Sequence, residues 1–239
     1  MQCKICGQDN PSEARFCTNC GSPLVAAVEP SPVIGVGSSY GKGWRQLWKY
    51  FLELFLIGII AFVIGLPAAL GQGMDGGTGA VILGIFAFAY GILVSGPIEY
   101  GVSFANLKAA RGDKLEIKNM FEAFHNYWNA VLANVLVGVI VVVGLVLLIV
   151  PGIIFACKLV FTPYLVVDRK MEVIEAVKES WRMTNGHAWK VFGMGLLAIL
   201  ICIAGLICFG VGIIIAIMWI RVAFASLYHA VSLSEASAS

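Results

Sequence analysis

An all-α polytopic membrane protein, with six transmembrane helices arranged as three hairpins behind a small metal-binding module, is the fold class this sequence predicts. Three observations carry that reading. First, 59% of the 239 residues are hydrophobic and only 13% charged, with a mean hydropathy of +0.89; a soluble domain carries about 25% charged residues. Second, six apolar runs alternate between short glycine-rich reversals and longer basic connectors. Third, four cysteines stand in two Cys-x-x-Cys pairs within the first 20 residues. A net charge of +2 predicts no nucleic-acid partner.

The N-terminal element, residues 1–23, reads Cys3-Lys-Ile-Cys6-Gly7, then nine residues, then Cys17-Thr-Asn-Cys20-Gly21. Each pair can offer two thiolates to one ion, and the glycine after each pair permits the positive φ that turns the backbone around it. A single pair would equally suit a redox dithiol. Two in tandem point to one structural zinc held by Cys3, Cys6, Cys17 and Cys20, because a closed four-thiolate site leaves no position for catalysis. The stretch CKICGQDNPSEARFCTNCGSPL resembles the short zinc-ribbon family of bacterial and archaeal proteins. So small a module folds with its metal. Lys4 and Arg15 are balanced by Asp9 and Glu13, so a docking module for a protein partner is the expectation rather than a nucleic-acid binder.

No signal peptide is expected, since Cys3 precedes any apolar run. Residues 24–43 are rich in Pro, Gly and Ser and read as a flexible linker. The six-helix domain follows over 44–232, and 233–239 reads as a disordered cytosolic tail. Its apolar runs fall at about 47–70, 79–102, 128–150, 153–167, 188–208 and 211–231. A helix of about 20 residues crosses a bilayer; the fourth run is short, which predicts a tilted, broken or extended span. Residues 71–78, Pro151-Gly152 and the glycines at 205–212 form the three reversals.

Fourteen of the sixteen Lys and Arg lie before or at the start of the first span, in the connectors after the second and fourth, or at the entry of the fifth. That bias places both termini and the ribbon in the cytosol, with the chain in the cell membrane. Each hairpin opens on an aromatic entry at Trp48, Trp128 or Trp189, as expected at the head-group level. The connectors at 113–126 and from Asp168 onward pattern as amphipathic helices. Asp168 reads as an N-cap for the second.

The segment GPIEYGVSFANLKAARGDKLEIKNMFEAFHNYWNAV, with LLIVPGIIFACKLVFTPYLVVD and EAVKESWRMTNGHAWKVFGMGLL, resembles an uncharacterised six-helix bacterial and archaeal membrane family. It is also similar to the membrane domain fused to some glycerophosphoryl diester phosphodiesterases. The resemblance implies a multi-helix membrane domain without established chemistry.

Ionisable residues inside spans are the candidates for function: Glu53, Glu99, Lys158 and Arg221. Two acids and two bases imply pairing, with Arg221 able to reach either glutamate and Lys158 snorkelling toward the outer reversal. Pro97 and Pro163 break spans two and four locally. Cys157, Cys202 and Cys208 read as packing, and His125, His187 and His229 lack neighbouring ligands. No catalytic constellation is recognisable, so no enzyme is expected. The expectation is a scaffold, assembly or regulatory component of the lipid bilayer with a protein partner at the ribbon. The alternative is a small-solute or lipid transporter with a polar path through the bundle.

Overall fold

The computed structural model describes residues 2, 6–9, 11, 17–20, 34–70, 78–207 and 211–236. The chain divides into two compact units, Met1–Val33 and Ile34–Ser239. Among the described residues of the second unit, six helices are long and apolar enough to cross a membrane: Phe51–Ala69, Thr78–Arg111, Ile117–Leu147, Val150–Asp168, Ala188–Ile207 and Gly212–Glu235. Apolar surroundings force this choice, because a helix satisfies its backbone N–H and C=O groups internally.

The elements in order are α1 (Val36–Lys49), α2 (Phe51–Leu70), α3 (Thr78–Tyr90), a π-turn (Gly91–Ser95), α4 (Gly96–Arg111), a 3₁₀ segment (Ile117–Asn126), α5 (Tyr127–Leu147), α6 (Ile149–Leu159), α7 (Thr162–Asp168), α8 (Val173–Thr184), α9 (Ala188–Ile207) and α10 (Val211–Ala236). Helix α1 corrects the linker expected over 24–43; residues 24–33 lie outside the described residues. Its Ser and Gly residues look like breakers, yet Gly43 is required by packing. A Cβ there would lie 3.0 Å from the backbone of Ala223 on α10. The indole Nε1 of Trp219 donates to the Tyr40 carbonyl at 2.9 Å and the Tyr40 hydroxyl donates to the Met194 carbonyl at 2.9 Å, so α1 is seated against α9 and α10. The first span therefore starts at Phe51, after a break at Tyr50. At the other end α10 continues to Ala236, which corrects the tail expected from 233.

Helices α3, the π-turn and α4 form one 34-residue span, about 51 Å long at 1.5 Å per residue against a hydrocarbon layer of about 30 Å. The excess is housed in protein. Eleven of the sixteen α4 residues are buried, whereas of the described α2 residues only Leu54 and Ile57 are. Leu107, Met120, Leu165, Val222 and Leu227 form the centre of this core. The 3₁₀ segment is pressed onto α4 so closely that a Cβ on Gly101 would collide with the Met120 carbonyl oxygen. The other halves of the bundle are lined on the outside by exposed Phe62, Phe86, Phe88, Val146 and Ile207, a surface suited to acyl chains and not to water.

Span two passes Pro97 through the π-turn without ending, and span four is interrupted ahead of Pro163. Pro97 has no N–H for the Leu93 carbonyl, and the Tyr127 hydroxyl donates to that oxygen at 2.9 Å. Span four is broken between α6 and α7. There Ser180 of α8 donates to the Lys158 carbonyl at 2.8 Å and accepts from the buried Phe161 N–H at 3.2 Å. Thr184 adds a second donor to the Lys158 carbonyl at 3.2 Å.

Candidate functional site

In the first unit, Cys6, Cys17 and Cys20 bring their sulfurs within 4.8 Å of one another. The Cys6 and Cys17 sulfurs are 3.5 Å apart, close to the roughly 3.8 Å edge of a tetrahedron with 2.3 Å zinc–sulfur bonds. Gly7 has a φ of +75°, the conformation expected after a ligand pair. The Gln2 amide donates to the Gly7 carbonyl at 3.1 Å, and Gln2 and Asp9 form an antiparallel bridge that folds this loop back on itself. The donor set fits a thiolate-bound metal; Cys3, the fourth expected ligand, lies outside the described residues.

In the second unit the four intramembrane candidates do not converge. Arg221 of α10 donates to both carboxylate oxygens of Glu99 on α4, at 2.9 and 3.2 Å. Both side chains stay partly open, at 39% and 54% exposure. They stand in the wall of a cavity of about 620 Å³ between α2, α4 and α10. Glu53 is not in that wall. It occupies the first turn of α2, where a carboxylate favours the positive end of the helix dipole, and has no ion pair among the described residues. Lys158 corrects the expected outward snorkelling. Its ammonium donates to the Asn185 side chain and lies 5.3 Å from the Trp181 ring centre, so it points away from the reversal at Pro151-Gly152 toward α8. The reason is the break in span four, which exposes the end of α6 to the connector.

Asp168 is also corrected: it ends α7 rather than capping α8, whose N-cap is Glu172 without a side-chain bond. It accepts two hydrogen bonds of 2.6 Å from Arg111 and one of 3.3 Å from the Tyr228 hydroxyl. This three-helix tie was missed because its members lie 57 and 60 residues apart, beyond any local pattern. Tyr228 also stacks on Tyr164, ring centres 5.0 Å apart.

The connectors that hold most of the basic residues meet at one end of this unit. The Tyr50 hydroxyl donates to the Gly112 carbonyl at 2.8 Å; Arg182 pairs with Glu179 at 2.7 Å and with Glu235 at 3.2 Å; Lys190 reaches the Ile34 carbonyl at 3.0 Å. Hydrogen bonding from Arg182 holds the Glu179 carboxyl below the usual range. Glu116, ahead of the 3₁₀ segment, is drawn down to about 2, first by hydrogen bonding from Lys118 and then from Lys114. On the second connector the apolar residues Ile174 and Trp181 are exposed and Val177 is half-buried, while Ala176, Ser180 and Met183 are the buried ones. Trp48, Trp128 and Trp189 are all exposed, as interfacial anchors should be.

Residues 2–24 match the zinc-ribbon domain family. Residues 129–238, which span α5 to α10, match a domain of unknown function, DUF7847. No curated protein and no solved structure matches the chain.

Proposed function

We propose that this protein is a membrane scaffold whose zinc ribbon docks a protein partner on the cytosolic side, with zinc as the ion and both termini in the cytosol. The main support is that the charged groups of the helical unit stand in separate places and do not follow one another through it. Arg221 is paired with Glu99, Arg111 with Asp168, and Lys158 with Asn185, and Glu53 stands apart from all three. A transport path needs polar groups that follow one another through the bundle, so the scaffold is the better reading. It requires no catalytic group. The orientation draws on the basic connectors gathered at one end and the positive-inside rule. A reporter placed at Asp75 is expected outside the cytosol; a cytosolic signal there overturns the orientation.

The decisive experiment is a pull-down from native membranes with the full chain and with Cys6→Ser/Cys20→Ser. Partners lost only on ribbon mutation are expected. An identical set of partners with both proteins overturns the docking role. Transport remains the second reading because of the cavity beside Glu99 and Arg221.

A further inference from the structure

We infer that the cavity between α2, α4 and α10 is a binding site for one phospholipid whose head group carries a phosphate and a primary ammonium, the phosphatidylethanolamine class. The site stands independently of what the ribbon docks.

Its shape and lining come first. A volume of about 620 Å³ lies within the roughly 300–1,000 Å³ of small-molecule sites. The lining runs along α2 from Leu54 to Ala69 and is apolar, apart from Glu99, Asn106 and Arg221 on the facing helices. An amphiphile with its tail along α2 and its head at the charged pair matches that distribution.

The chemistry of the pair selects the head group. A guanidinium has five N–H donors, and Glu99 takes two of those on Arg221. No other acceptor meets the guanidinium among the described residues. The Glu99 carboxylate, with about four acceptor positions, receives no other donor from them. Both side chains line the cavity and are 39% and 54% exposed, so these remaining positions are open to a ligand. A phosphate answers the remaining donors, and a primary ammonium answers the remaining acceptor positions. A quaternary ammonium has no N–H for Glu99, and a head group with phosphate alone leaves Glu99 facing a second anion. Position agrees: Glu99 follows Thr78 by 21 residues, about 31 Å of helix rise, which sets the pair near the inner boundary of a hydrocarbon layer of about 30 Å.

Two glycines in the wall make the tail testable. Gly58 and Gly65 line the cavity, and a Cβ on either would meet nothing within 4 Å, so a larger side chain there takes up open space beside the tail without a clash. The experiment is native mass spectrometry of the full chain released from vesicles of equal parts phosphatidylethanolamine, phosphatidylglycerol and phosphatidylcholine with matched acyl chains. The wild type should retain one phosphatidylethanolamine about tenfold over either competitor, the ratio of one charge-assisted hydrogen bond. Glu99→Gln/Arg221→Gln should bring the three lipids to parity, and Gly58→Leu should reduce retention of all three. Parity in the wild type, preference for phosphatidylglycerol, or preference surviving the double substitution overturns the site. Should the double variant fail to fold, Gly58→Leu decides: retention at the wild-type level overturns it equally.

Discussion

Both carboxylate oxygens of Asp168 accept from Arg111, and the side chain is only 12% exposed. Removing one member of such a pair leaves the other charge without its partner. Asp168→Asn should therefore lower unfolding stability by about 2–4 kcal/mol, read as a fall in the melting temperature of the detergent-solubilised chain. Arg111→Lys should restore little, since an ammonium cannot reproduce the two-pronged geometry. Wild-type melting in Asp168→Asn would show the tie to be dispensable. The carboxyls of Glu116 and Glu179 give a pH dependence. Both are held below the usual 4.5 by basic neighbours, so the folded chain binds protons less readily than the unfolded one. Their contribution is complete above about 4.5 and is lost as pH falls toward the lowered values. Hydrogen exchange of amides 116–126 should show less protection at pH 3 than at pH 5. Equal protection at both would contradict the Lys114–Glu116–Lys118 cluster.

At the scale of elements, close approach and borrowed hydrogen bonds decide which helices tolerate change. Gly101→Ala drives a methyl into the Met120 carbonyl and should cost about 3 kcal/mol or more. Gly138→Ala meets nothing within 4 Å and should be neutral or stabilising by up to about 1 kcal/mol. Equal melting temperatures for the two would refute the seating of the 3₁₀ segment on α4. Ser180→Ala leaves the buried Phe161 N–H without its acceptor and should cost about 1–3 kcal/mol. The six spans were legible because lipid imposes one rule on every residue of a crossing helix. Helix α1 was not: VGSSYGKG has the composition of a linker, and only the backbone of Ala223 explains why a glycine stands at 43. The disturbances at Pro97 and Pro163 were legible, but not the hydroxyls of Tyr127, Ser180 and Thr184 that make them tolerable, since each comes from another helix. Of the sites, the cysteine pairs announced themselves through spacing. Glu99 and Arg221 were visible as misplaced charges, whereas Asp168 was misread because an acid at the start of an amphipathic stretch has the local look of a cap.

For the whole molecule, the ribbon and the helical unit should respond to different treatments. The full chain should carry one zinc, and chelation should remove it; with Cys6→Ser/Cys20→Ser the metal content by mass spectrometry should fall to near zero. Retention of stoichiometric zinc by that variant would refute the assigned ligands. The helical unit couples its own ends. Helix α1 is packed on α10, so the first helix of the unit finds its partner only after more than 160 intervening residues have been made. At roughly 5–20 residues per second that is a wait of about 10–30 s during synthesis. Throughout it, Tyr40 and Leu47, both buried in the finished protein, have no α10 to cover them. The inner core thus closes last, and a ribosome stalled before α10 leaves a nascent chain with all its earlier spans inserted and its opening helix still uncovered, a natural mark for quality control.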